Sequence, residues 1–130
     1  DKKQLIPLVG TIAAGMPILA EENIEDHIDL YKFFYSDAEI FALRVKGDSM
    51  KKAGIMDGDI VVIKKQPVIE NGQIGAFIIN DEATVKRIFF KSDRIILKPE
   101  NDEMKEIMVD PKKNNFYIAG KVIGVIRRMS

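Results

Sequence analysis

The chain has 130 residues, of which 46% are hydrophobic and 31% charged, the composition of one ordinary globular domain with one core. Its 20 basic and 20 acidic side chains cancel, which argues against a domain that grips nucleic acid through a basic face, because phosphate binding needs clustered Lys and Arg. There are no cysteines, and His27 is the one histidine, so disulfides, zinc–thiolate sites, cysteine nucleophiles and His-rich metal sites are excluded.

The first 20 residues are cut into short pieces by Pro7, Gly10, Gly15 and Pro17. They read as an extended segment over residues 5–20 with a flexible loop around Ala13-Ala14-Gly15. No secretory leader is visible, and no apolar run approaches the roughly 20 residues that span a bilayer. A cytoplasmic location without membrane contact is the expectation. The chain starts on Asp1 rather than methionine, so further sequence is expected upstream. The acidic stretch 21–29 places His27 at the surface.

From there on, β-branched and aromatic runs alternate with Gly, Asp, Asn and Pro, the pattern of a mostly-β domain. Strands are expected over 40–45, over 59–63 after the Asp57-Gly58 turn, over 74–79 after Asn71-Gly72, over 83–90 after Asn80-Asp81, and over 94–97 after Ser92-Asp93. The last two turns predict hairpins. Residues 116–128 read as one or two closing strands, with Gly120 and Gly124 as candidate bulges. The helical signal is limited to Ser49-Met50-Lys51-Lys52-Ala53, one turn capped by Asp48 or Ser49 and stopped by Gly54.

Two local features carry chemistry. Gly47-Asp48-Ser49-Met50 directly follows a strand. A serine there exposes its hydroxyl, and the backbone N–H groups of Asp48 and Ser49 can point at a developing oxyanion. The bland alternative is a serine that caps a helical turn. In Thr84-Val85-Lys86-Arg87, strand alternation puts Thr84, Lys86 and Ile88 on one face. The bland alternative is a lysine whose stem snorkels to water.

Together with the N-terminal segment, these features resemble the C-terminal domain of LexA repressors, bacterial self-cleaving regulators. Pro7-Leu8-Val9-Gly10-Thr11-Ile12-Ala13-Ala14-Gly15 looks like the family's cleavage-site region. Gly47-Asp48-Ser49-Met50, followed by Gly54-Ile55-Met56-Asp57-Gly58-Asp59, looks like its nucleophile turn and next strand, and Thr84-Val85-Lys86-Arg87 like its base strand. Pro99-Glu100-Asn101 and Gly124-Val125-Ile126-Arg127 match later landmarks. The resemblance runs from about residue 5 to 127 and departs at Asp48, where these repressors often carry an uncharged residue.

The resemblance implies a LexA/signal-peptidase-like β domain with a short helical turn after the nucleophile, divided into a cleavage segment (1–20) and a peptidase and dimerisation body (21–130). It implies Ser49 as nucleophile on the carbonyl of Ala14, Lys86 as the neutral base, Thr84 as its hydrogen-bond partner, and Gly15 as the leaving side. No cofactor or metal is implied. The implied partners are a second copy of the chain, a RecA filament on single-stranded DNA as activator, and operator DNA through an upstream domain.

The chemistry is demanding, because a lysine with its ordinary pKa near 10.4 is less than ~0.1% neutral at pH 7. Burial lowers that pKa, and the cleavage segment can supply the burial if Val9, Ile12 and the alanines fold over Lys86. The alternatives are a UmuD-like polymerase subunit, a phage repressor, a membrane-anchored signal peptidase, and a non-catalytic β dimerisation module. UmuD-like proteins cut at Cys–Gly, which a chain without cysteine cannot offer. The built-in Ala14–Gly15 segment and the lack of an anchor speak against signal peptidase.

Overall fold

The computed structural model describes residues 4–13, 15–34 and 37–129. Its nine strands are β1 (Ile6–Val9), β2 (Ile24–Ile28), β3 (Ile40–Arg44), β4 (Ile60–Lys65), β5 (Ile74–Ile79), β6 (Glu82–Lys91), β7 (Arg94–Lys98), β8 (Ile107–Val109) and β9 (Phe116–Ile126). They form one sheet in the order β2-β1-β3-β4-β9-β5-β6-β7-β8. All neighbours are antiparallel except β1 and β3. The mostly-β class read from the sequence is the fold observed.

The central strands are buried on both faces, which is why they read as unbroken apolar runs. In β3, Phe41 and Leu43 enter one cluster with Val9, Met50, Val61, Ile63 and Ile78, while Ile40 and Ala42 enter another with Ile6, Leu8 and Val62. A third cluster, built on Phe77, Ile88, Ile95, Leu97 and Val109, fills the far end. β6 serves two partners: Glu82 to Arg87 pair with β5, and Arg87 to Lys91 with β7. Lys86 lies one residue before that change of partner.

Both hairpins form where the turn residues place them. Asn80 and Asp81 take φ values of 49° and 68° between β5 and β6, and Ser92 takes 48° between β6 and β7. Asn and Asp tolerate this left-handed region better than most residues. Strand β9 is continuous, and its irregularities fall beside the two glycines. The pairing skips Ala119 against β5 and Ile123 against β4. The glycines have a packing reason: a Cβ on Gly120 would meet the Lys64 carbonyl oxygen, and one on Gly124 would meet the Phe34 ring.

Within the segment expected to be extended, residues 6–9 form the core strand β1, with Val9 at 1% exposure. One expectation needs correction. The helical turn is a single 3-10 turn, Lys51–Ala53, with no side-chain cap. The Asp48 backbone carbonyl, not its side chain, accepts the Lys51 N–H, while Gly54 ends the turn at φ 82° as expected. β2 and β8 went unforeseen: β2 is Ile-Glu-Asp-His-Ile at a sheet edge, too polar to read as a strand, and β8 has three residues. His27 is exposed in β2.

Candidate active site

Chain leaving β3 makes an excursion from Val45 to Asp59 before entering β4. Its base is closed by paired backbone bonds, Val45 N–H to the Asp59 carbonyl at 2.7 Å and Gly58 N–H to the Val45 carbonyl at 2.8 Å. Gly47 opens the excursion at φ 86°, a conformation that suits glycine, and its N–H donates to Asp57 Oδ1 at 2.6 Å. Met50, 1% exposed, anchors the turn in the core. Ser49 is thereby fixed, half-buried, between two pinned neighbours.

Lys86 reaches the same point from β6. Its Nζ lies 3.1 Å from Ser49 Oγ and 2.6 Å from Thr84 Oγ1. The shared face of Thr84 and Lys86, read from strand alternation, is what joins them. Lys86 is only 9% exposed. Among the described residues its side chain meets hydroxyls and no carboxylate. Burial without a counter-charge pushes its pKa below the ordinary lysine value, since desolvation penalises the ammonium.

The pair opens into a cleft of about 560 Å³ whose lining includes Leu43, Met50, Val85 and Asp81 together with Val9, Gly10, Thr11 and Ile12. Val9 and Ile12 thus line the same cleft as Lys86. Val9 does so as part of a core strand and Ile12 as a half-buried loop residue. Ala14 lies outside the described residues. Gly15 is exposed at φ 76°, and its N–H faces Asp81 Oδ1 at 3.4 Å. The backbone N–H groups of Asp48 and Ser49 donate to no acceptor among the described residues.

Sequence reasoning missed two asparagines. Asn101, 7% exposed, donates from Nδ2 to the Asp48 carbonyl at 2.9 Å and accepts the Glu103 N–H at 2.9 Å, bracing the turn that carries Ser49. The Pro99-Glu100-Asn101 run marked the place without revealing the role. Asn23, 2% exposed, holds the loop around Gly15, and nothing in its polar surroundings signalled it.

A family model described as Peptidase S24-like matches residues 7–123, which takes in both hydroxyls, the lysine and the loop. The chain belongs to the Peptidase S24-like family. Within that frame it is similar to a LexA repressor of Caldicellulosiruptor saccharolyticus, 56% identical over 124 residues that make up 95% of this chain and 59% of the relative. A LexA repressor of Clostridium kluyveri is 48% identical over 131 residues, 98% of this chain and 63% of the relative. One of Glaesserella parasuis is 45% identical over 122 residues, 94% and 58% respectively. The chain thus spans about three-fifths of the curated relatives it matches. Among the described residues no helix of this S24-like domain is long and apolar enough to cross a membrane.

Proposed function

We propose that this chain is the self-cleaving regulatory domain of a LexA-type SOS-response repressor, which cuts its own Ala14–Gly15 bond with Ser49 and Lys86. The observation that carries the reading is the buried Lys86 amine, which meets no carboxylate among the described residues and lies 3.1 Å from Ser49 Oγ in a cleft also lined by residues 9–12. The neutral amine takes the proton of Ser49 Oγ as that oxygen attacks the Ala14 carbonyl carbon. The oxyanion is held by the N–H groups of Asp48 and Ser49. The Ala14–Gly15 C–N bond then breaks, Lys86 returns the proton to the Gly15 nitrogen, and water hydrolyses the Ser49 ester. Thr84 Oγ1 orients the amine.

The reaction needs the lysine deprotonated, so self-cleavage rises with pH. The burial of Lys86 places the midpoint below the ordinary lysine value. Mass spectrometry of the chain incubated from pH 6 to 11 should show two fragments joined at Ala14–Gly15; a flat profile or a cut elsewhere would sink the mechanism. Gly15→Asp should block cleavage by spoiling the fit at the scissile bond, at a position whose φ of 76° already favours glycine.

Partners follow from the same reading. The chain pairs with a second copy. Over residues 122–126, β9 has β4 on one side and no β5 partner on the other, and Ile123 and Val125 are 37% and 40% exposed. That is an open edge with apolar side chains. Sedimentation equilibrium that finds only a 14.7 kDa species at tens of micromolar would refute the dimer. A RecA filament on single-stranded DNA speeds cleavage at neutral pH by binding the cleavable arrangement preferentially. No acceleration, with alkaline cleavage intact, would leave the peptidase and remove this activator. Operator DNA is bound by a separate upstream domain of the repressor.

A further inference from the structure

Outside the Ser49–Lys86 pair, Asn23 is a buried polar side chain with every group bonded. It ends the single 3-10 turn Glu21–Asn23, just before β2. Its Oδ1 accepts the Ala13 N–H at 2.8 Å. Its Nδ2 donates to the Pro17 carbonyl at 2.9 Å and the Ile18 carbonyl at 3.2 Å. Its backbone carbonyl accepts the Gly10 N–H at 2.7 Å, and its N–H donates to the Ala20 carbonyl at 2.9 Å. Every polar group of this one residue is thus spent on the segment 10–20, on both sides of Gly15. Between the two flanks, the Met16 N–H closes back on the Ala13 carbonyl at 3.1 Å.

A buried amide with all its bonds made is rigid, because losing any one strands a donor or acceptor out of water. Ile12 and Ile18 pack into the core at the two ends of this stretch and the Gly15 N–H faces Asp81, but Ala13, Gly15, Met16 and Pro17 are themselves exposed. A peptide bond that must meet a nucleophile at bonding geometry reacts faster when its ordering is already complete before the encounter.

We infer that Asn23 is a positioning residue for self-cleavage, tying Ala13 to Pro17 and Ile18 so that the segment between them reaches Ser49 as one pre-shaped turn. This rests on the self-cleavage reading above. It assigns the geometry of the substrate segment to a side chain that touches neither Ser49 nor Lys86. The alkaline pH needed to free the lysine is then a requirement of the dyad alone, and the shape of the substrate is set separately.

The test compares Asn23→Ala and Asn23→Asp with the unaltered chain. Alanine removes all three side-chain bonds. Aspartate keeps the acceptor for the Ala13 N–H but turns an oxygen toward the Pro17 and Ile18 carbonyls. Three readouts are taken: the first-order cleavage rate across pH 7 to 11, the rate at which a fluorophosphonate labels Ser49, and hydrogen exchange of the Ala13 amide. Both variants should cleave about tenfold more slowly or worse at every pH, with the pH midpoint unmoved, Ser49 labelling unchanged and Ala13 exchange faster. Cleavage within twofold of the unaltered chain would overturn the assignment. So would a parallel loss of Ser49 labelling or a moved midpoint, since either places the damage in the dyad. If the unaltered chain labels at Ser49 but is never cut at Ala14–Gly15, the self-cleavage reading itself has failed.

Discussion

Asp59 and Lys86 are both buried, at 2% and 9% exposure, and both border the excursion between β3 and β4, yet their charges are treated in opposite ways. The Asp59 carboxylate accepts from Arg127 Nε and Nη2, each at 2.7 Å, and from the Met56 N–H at 2.7 Å. Arg127 spends a further N–H on the Gly54 carbonyl. The guanidinium holds the Asp59 pKa below the usual carboxylate range, chiefly through these hydrogen bonds. Lys86 receives two neutral hydroxyls and no carboxylate among the described residues, and its pKa falls because of burial. A buried charge that holds a fold together is compensated, whereas one left unpaired is poised to be given up, which is the condition for a general base.

The largest effect expected from this contrast is on cleavage. Ser49→Ala and Lys86→Ala should each remove it to background, a loss of about a thousandfold or more. Lys86→Arg sharpens the point, since it keeps length and charge but cannot deprotonate. It should be inactive at every pH up to 11 in the same fragment assay. Measurable cleavage by the arginine variant would mean that the position supplies charge and not a base.

The two charges should also respond oppositely to removal when stability is measured in a Ser49→Ala background, where nothing is cut. Arg127→Met strands a carboxylate that is 2% exposed, and should lower the thermal midpoint by several degrees. Because the folded-state pKa of Asp59 is depressed, the pair's contribution is present above the unfolded carboxylate value near 3.9. It is lost as pH falls through the folded value, so the variant and its parent should converge in acid. Lys86→Met should instead stabilise, by about 1 kcal/mol or more at pH 7, because it replaces an uncompensated buried ammonium. The folded-state pKa of Lys86 is lowered, so its penalty is full below that value and shrinks as pH rises toward the unfolded value near 10.4. The gap should narrow with pH. A methionine variant less stable than its parent at pH 7 would mean that Lys86 is a structural charge after all.

The parts of the site legible in the sequence are those fixed by short-range rules. Strand alternation placed Thr84 beside Lys86, and the strand-then-turn pattern placed Ser49 on the turn that follows β3. Asn80-Asp81 and Ser92-Asp93 announced the hairpins that hold β6. The 3.1 Å approach of Lys86 to Ser49 joins residues 37 positions apart, and only the matching order of three motifs suggested it. The braces stayed hidden because a buried asparagine looks like any loop polar residue until its partners are seen: Asn101 reaches Asp48 across 53 positions, and Asn23 sits beside exposed Glu21 and Glu22. Gly120 and Gly124 read as bulges, but their close backbone and ring neighbours became visible only with β4 and Phe34 in place.

The smallest effect expected is also the most discriminating about how Lys86 is tuned. Thr84 Oγ1 lies 2.6 Å from Nζ, and an ammonium donates to a hydroxyl oxygen more strongly than a neutral amine does. Thr84 therefore favours the charged form and opposes the effect of burial. Thr84→Val keeps the side-chain volume and removes that acceptor. The lysine should then lose its proton more easily, moving the midpoint of the cleavage profile down by about 0.7 of a pH unit, as a neighbour worth roughly 1 kcal/mol would. The plateau rate should fall at the same time, by less than about tenfold, because the amine loses one of the two groups that aim it at Ser49. The two changes oppose each other near neutral pH, where the variant should cleave at close to the parental rate, and separate above the midpoint. A midpoint that moved up instead would mean that Thr84 donates to the neutral amine and helps to hold the base deprotonated.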